Sequence, residues 1–211
     1  MSTGDARIGA AAGIVAVVGN VAAVAFLYRM PSAYRLARLD EWVLAVNEQR
    51  AATTASTIAF VIGLVALAWW ARHRGARAGS AAARAGAWLI AVTALFDALG
   101  TVAPFVQSSL VASRAPEALM VGRALLGMSL SLDAVFNFGM GLGLLMVGVS
   151  QRGALRVVMI AAGLANLPVS AQAVWDPAAT GLYVSAPLWL TAIVWTSIRD
   201  MREASLAPRT A

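Results

Sequence analysis

The hydrophobic residues of this chain are gathered into runs about as long as a membrane is thick. A run of about 20 apolar residues forms a helix that crosses the hydrocarbon core of a bilayer. The sequence contains six such runs, which predicts an all-α polytopic membrane bundle built as a single transmembrane domain over residues 1–211. The predicted spans cover about residues 8–28, 51–70, 87–106, 124–149, 154–173 and 180–198.

Three features refine these spans. The first run has a second interpretation as a cleaved signal peptide, since Ala23-Val24-Ala25 resembles a cleavage site, but its apolar stretch is longer than the about 7–15 residues of such peptides. Pro168 is expected to kink the fifth span, because proline removes a helical hydrogen bond. The polar tail after the sixth span is expected to be mobile.

The segment between the first two spans has an amphipathic pattern instead. Its apolar residues recur on one face of a helix, and charged residues occupy much of the rest. This pattern is too charged for a span and predicts an interfacial helix over about residues 32–50. An alternative is that this helix forms a lid over a pocket. The apolar face comprises Leu36, Leu39, Trp42, Val43 and Val46.

Composition agrees with a membrane location. The chain is 60% hydrophobic and only 12% charged, whereas a soluble domain carries about 25% charged residues. Its mean hydropathy is +0.75. The lipid bilayer is therefore the predicted environment. The protein is expected to assemble either with copies of itself, as a homo-oligomer, or with a larger membrane protein.

All 16 basic residues are arginine, and the net charge is +6. These arginines are scattered through the links between apolar runs and form no continuous basic face, so nucleic-acid binding is not expected. The absence of lysine excludes a Schiff-base cofactor such as retinal. Avoidance of lysine together with heavy use of alanine, valine and glycine indicates a GC-rich, bacterial genome.

The arginines also predict an orientation in the plasma membrane. Cytoplasmic links are enriched in basic residues. With both termini in the cytoplasm, ten of the 16 arginines fall on the inner side and six on the outer side. The inner ones are Arg7, Arg72, Arg74, Arg77, Arg84, Arg152, Arg156, Arg199, Arg202 and Arg209; the outer ones are Arg29, Arg35, Arg38, Arg50, Arg114 and Arg123.

The side chains needed for most cofactors and enzymes are scarce. There is no cysteine, and the one histidine, His73, lies in an arginine-rich link, so no metal site and no other cofactor are expected. The sequence contains no HExxH pair, no GxSxG elbow and no Walker loop. We therefore do not expect an enzyme and predict no catalytic residue.

The candidate chemistry lies in the third and fourth spans, each of which carries one acid. Thr93, Asp97 and Thr101 are spaced four residues apart and share one helix face. The fourth span repeats this pattern with Ser129, Asp133 and Asn137. Counting from the span ends at about 1.5 Å per residue places both acids about 14–15 Å deep, near the midplane.

Consecutive helices tend to be neighbours, so the two stripes are expected to face one another, joined by Asn166 and Ser170 of the fifth span. One interpretation is a binding site for a proton, a cation or a cationic ligand in a small transporter or ligand-binding protein. The other is structural: the acids hydrogen-bond neighbouring helices in an accessory or assembly subunit of a membrane complex. Because burying two unpaired charges is costly, we expect at least one acid to be neutral at pH 7.

The layout resembles small bacterial six-helix integral membrane protein families of unknown function. The matching features are a first span, an acidic amphipathic outer loop from Arg35 to Glu48, and five further spans ending in LYVSAPLWLTAIVWTSIRDMR. This resemblance implies the fold and a plasma-membrane location, and it supplies no activity or functional residues.

Overall fold

The computed structural model describes residues 3–26, 39–112 and 117–206, and these residues form helices with no β-strand among them. The prediction of an all-α fold is confirmed. The α-helices are α1 (Thr3–Phe26), α2 (Leu39–Glu48), α3 (Arg50–Ala76), α4 (Ala81–Ala112), α5 (Ala118–Gly148), α6 (Gly153–Asn166) and α7 (Asp176–Leu206), with a short 3₁₀ helix at Pro168–Ala171.

Six helical segments are long and apolar enough to cross a membrane, which makes the chain a multi-pass membrane protein. Their outer faces carry exposed apolar side chains such as Val18, Val24 and Leu99, because lipid rather than water surrounds such a bundle. The spans are Asp5–Phe26, Arg50–Ala76, Ala81–Val106, Ala118–Gly148, Gly153–Ala171 and Gly181–Leu206.

These six segments form a closed ring, in which each packs against the next in the chain and α7 returns to α1. One apolar core joins all of them. Its fully buried members include Leu64 and Trp70 of α3, Met140 and Leu144 of α5, and Ile193 of α7. The ring arises because short connections keep consecutive helices antiparallel and adjacent.

Several helices run beyond the predicted spans. The predicted third span ends near residue 106, whereas α4 continues through Pro104 to Ala112. The Ser80 hydroxyl accepts a hydrogen bond of 3.1 Å from the Ala83 N–H and so caps the beginning of α4. The expectation of a mobile tail was wrong over its first part, because α7 continues past Pro187 to Leu206.

The fifth span behaves differently from the expected kinked helix. The α6 helix ends at Asn166, and a 3₁₀ helix follows from Pro168 to Ala171. Because the proline has no N–H to donate and its ring crowds the preceding turn, it terminates the α-helix here instead of bending it.

The amphipathic segment forms a helix, α2, from Leu39 to Glu48, whereas the sequence predicted about residues 32–50. Residues 32–38 of that prediction, and residues 27 and 28 of the first predicted span, lie outside the described residues. Val43 and Val46 are buried against the bundle. Gln49, with ψ of 37°, interrupts the helical backbone and separates α2 from α3.

Glycines allow two pairs of helices to approach closely. A Cβ on Gly19 of α1 would lie 2.7 Å from the Cα of Gly63 on α3. On α5, a Cβ on Gly139 would lie 2.6 Å from Thr93 Oγ1, and one on Gly143 would lie 2.7 Å from the Gly86 carbonyl oxygen of α4. The two α5 glycines therefore bring α5 against α4, which sets the separation of Asp97 and Asp133.

Candidate functional site

Asp97 of α4 and Asp133 of α5 line the same pocket, which has a volume of about 220 Å³. The walls come from five helices and from Gln172, which follows the 3₁₀ helix. The lining residues are Trp42, Val46, Thr53, Ser56, Thr57, Phe60, Asp97, Thr101, Pro104, Leu126, Ser129, Asp133, Gln172 and Leu182.

The Asp133 carboxylate is held by two amide side chains. Asn137 Nδ2, one turn further along α5, donates to Asp133 Oδ1 at 3.1 Å and to the Asp133 backbone carbonyl at 2.9 Å. Gln172 Nε2 donates to Asp133 Oδ2. Both carboxylate oxygens therefore have a neutral donor, an arrangement that fixes the side chain and stabilises its negative charge.

A third amide extends this network away from the pocket. Asn166 at the end of α6 is fully buried, and its Nδ2 donates to the Asn137 backbone carbonyl at 2.7 Å and to Asn137 Oδ1 at 3.3 Å. Asn166, Asn137, Asp133 and Gln172 thus form one chain of hydrogen bonds. The chain ties α5 to α6 and to the segment after the 3₁₀ helix, which makes the position of Asp133 rigid.

Asp97 has very different surroundings. Its side chain is only 7% exposed, yet among the described residues no side chain or N–H donates to its carboxylate. Thr101 donates to the Asp97 backbone carbonyl at 2.8 Å and leaves the carboxylate free. Asp97 therefore presents an unpaired carboxylate to the pocket, whereas Asp133 presents one that the protein has already bound.

The other predicted site residues divide into two groups. Thr101 and Ser129 line the pocket beside the acids. Thr93 lies outside it, where it donates to the Leu89 carbonyl at 2.8 Å and packs against Gly139. Ser170 likewise donates to the Leu167 carbonyl of its own turn, at 2.7 Å.

Sequence reasoning missed several residues of the pocket. Gln172 was not assigned a role, although an amide inside an apolar run four residues after a proline is an unusual placement. Thr53, Ser56 and Thr57 of α3 also line the pocket, and their clustering at the start of the second run was a usable signal. Trp42 and Val46 reach the pocket from α2, which is where a lid helix over the pocket would lie.

The pocket has no cationic side chain to neutralise its acids, since none of its lining residues is arginine, lysine or histidine. A charge contact outside the pocket lining joins α2 to α5, where Arg123 Nε and Nη2 donate to the Asp40 carboxylate. The hydrogen bond from Arg123 lowers the pKa of Asp40, and the charge of Arg123 lowers it further. This exposed ion pair joins α2 to the beginning of α5.

A second polar cluster, which the sequence analysis did not identify, lies at the arginine-rich end of the bundle. Arg74 and Arg77, at the end of α3, contact the buried Asp200 of α7, and Arg77 also contacts Glu203. Arginine near a helix carboxyl end is favourable for the helix dipole. We interpret this cluster as a structural link between α3 and α7.

Comparisons with protein-family models, with curated proteins and with solved structures find no match for this chain.

Proposed function

We propose that this protein binds a proton or a small cation at Asp97 and Asp133, as a small transporter or a ligand-binding membrane protein. The observation that carries the proposal is that two spanning helices each bring one acid to a single pocket that has no cationic lining residue. Acids within a membrane are costly to bury. Two of them on one pocket are better explained by a ligand than by packing.

The unequal surroundings of the two acids support a division of roles. Asp133 already accepts hydrogen bonds from Asn137 and Gln172, so we assign it a fixed position and a negative charge. The Asp97 carboxylate has no such partner among the described residues, and we assign it the exchange of a proton for a cation. A neutral Asp97 beside a charged Asp133 avoids placing two charges together.

Infrared spectroscopy of the purified protein tests this proposal. A protonated carboxyl gives a C=O stretching band that disappears when the proton leaves. We expect such a band in the native protein at pH 7, where exposed carboxyls are ionised, its loss on raising the pH or adding cation, and its absence in Asp97→Asn. The matched control is Glu203→Gln, at the opposite end of the bundle, which should keep the band.

The acids bind no ion if the native protein shows no protonated-carboxyl band at pH 7 and if Asp97→Asn and Asp133→Asn change no ion-dependent signal.

The alternative function is that of an accessory or assembly subunit, in which the acids only hold helices together. In that case Asp97→Asn and Asp133→Asn should change stability by no more than about 1 kcal/mol, the usual size of an intramembrane hydrogen bond. Gly139 and Gly143 of α5 pack against α4 of the same chain, so they hold helices together within this protein. Purification in mild detergent separates the two functions: a stoichiometric larger partner supports the accessory role.

Neither function requires catalysis, and we propose a non-enzymatic protein. We further propose that it resides in the plasma membrane of a bacterial cell with both termini in the cytoplasm. The supporting observation is the concentration of arginines at the turn between α3 and α4, including Arg74, Arg77 and Arg84. Because the chain has no cysteine, the variant Gly79→Cys carries a single thiol that an impermeant maleimide can label. Labelling from outside intact cells would show that the orientation is the opposite of the one proposed.

A further inference from the structure

We infer that the pocket between Asp97 and Asp133 binds a small organic ammonium ion. Its ammonium group would contact the Asp97 carboxylate, and its carbon group would lie against the apolar wall. This inference rests on the proposed function and names the class of ligand. Three properties of the pocket support it: unsatisfied polar atoms, an aromatic wall and its size.

Two buried polar groups on the pocket lack partners. The Asp97 side chain, 7% exposed, accepts no hydrogen bond from any described residue. On the facing α3, Thr53 is 3% exposed and its Oγ1 has no hydrogen-bond partner within the described part of the chain. Buried polar atoms in native proteins are nearly always satisfied. Both residues line the pocket, and an ammonium group bound there could donate hydrogen bonds to such oxygens.

The wall around these oxygens is apolar and partly aromatic. It includes Trp42 of α2, Phe60 of α3 and Leu126 of α5. A small hard cation prefers six or more oxygen ligands, and the described residues contain no group of three or more His, Cys, Asp or Glu side chains that could hold a metal. An organic cation suits this wall better, because its carbon atoms can pack against the apolar side chains and aromatic rings attract its charge.

The volume limits the size of the ligand. An apolar cavity of about 150 Å³ accommodates benzene, so the pocket, at about 220 Å³, has room for one ring with an aminomethyl group or for a short alkylamine. Larger polyamines and peptides do not fit without rearrangement.

One side of the pocket is closed by a short helix. Trp42 and Val46 of α2 line it, and the contact between α2 and α5 includes the exposed Asp40–Arg123 ion pair. This pair can break without leaving a buried charge, although opening α2 would also have to release the buried Val43 and Val46 side chains. We therefore place the entry of the ligand on the α2 side of the bundle.

The experiment uses the full chain in lipid nanodiscs and measures binding by calorimetry at pH 7. The probe is benzylammonium, with benzyl alcohol as its uncharged match and sodium ion as its small inorganic match. We expect benzylammonium to bind at least tenfold more tightly than benzyl alcohol. Asp97→Asn should abolish that preference, Trp42→Ala should weaken benzylammonium binding, and Glu203→Gln should change neither.

The comparison of the three probes on the native protein needs no variant, so it remains valid even if Asp97→Asn does not fold. Equal binding of benzylammonium and benzyl alcohol, or no binding of either, overturns the inference. If protons or sodium ions bind through Asp97 while benzylammonium does not, the organic ligand is wrong and the proposed function stands. If neither protons, sodium ions nor benzylammonium bind through the acids, both fail.

Discussion

Arg74 and Asp200 form a buried ion pair across 126 residues of sequence, with Arg74 Nη1 at 3.0 and 2.8 Å from the two carboxylate oxygens. The Arg74 side chain is 9% exposed and that of Asp200 is 2% exposed. Arg77 adds a second guanidinium at 3.2 Å from Asp200 Oδ1. These contacts join the end of α3 to the last third of α7.

Replacing Asp200 should therefore destabilise the protein strongly. Asp200→Asn leaves the buried Arg74 guanidinium without its counter-charge, and breaking a buried ion pair from one side costs about 3–5 kcal/mol. Thermal unfolding in detergent, followed by circular dichroism, measures the loss. Glu203→Gln is the control, because its ion pairs are more exposed and should contribute less than about 1 kcal/mol. Equal stability of Asp200→Asn and the native protein would mean that the pair is not formed.

The close packing of α4 on α5 gives a second prediction. Gly139→Ala adds a Cβ against the Thr93 side chain, and such overpacking costs about 1–3 kcal/mol. Thr93→Ala should relieve part of this cost in the double variant, which a double-mutant cycle on thermal stability measures. Gly79→Ala is the matched control, since nothing lies within 4 Å of its added Cβ. Additive effects of the two substitutions would contradict the contact.

Gln172 should affect the position and the hydrogen bonding of the Asp133 carboxylate. Gln172→Leu removes one donor from the Asp133 carboxylate, and we expect a stability loss of about 1 kcal/mol. It should also shift the infrared bands assigned to Asp133, which the Asp133→Asn variant identifies. Thr191→Val is a control for loss of a polar group elsewhere, because the Thr191 hydroxyl donates to the Pro187 carbonyl of its own helix. Unchanged Asp133 bands in Gln172→Leu would place the amide elsewhere.

The lid helix should respond to acid through Asp40. Arg123 lowers the pKa of Asp40 in the folded protein below its ordinary value. The stabilisation of the closed lid is therefore present above the ordinary pKa of aspartate and is lost as pH falls through the lowered one. Spin labels on Leu44→Cys of α2 and Leu119→Cys of α5, both exposed positions, should report a broader distance distribution at acid pH.

Arg123→Gln supplies the control for the lid. This variant removes the ion pair at every pH, so its distance distribution should already be broad at pH 7 and should not change on acidification. If the native protein and the variant give the same narrow distribution, the Asp40–Arg123 pair does not hold α2.

The hydrophobic pattern by itself determined the number of spanning helices and the all-α class. This succeeded because a backbone in lipid must satisfy its own hydrogen bonds, so a long apolar run has to be helical. The same pattern placed Asp97 and Asp133 on regular helical stripes with Thr101, Ser129 and Asn137. Periodicity is a local property, and it was sufficient for these residues.

The tertiary structure decided which of those residues share a site. Thr93 belongs to the same stripe as Asp97 but packs on Gly139, whereas Thr53 and Gln172, distant in sequence, complete the pocket. The tertiary structure also decided that amide side chains hold Asp133 but not Asp97. It decided as well that Asp200 of α7 pairs with Arg74 of α3. These outcomes depend on contacts between helices far apart in the chain, and no periodicity within one helix encodes them.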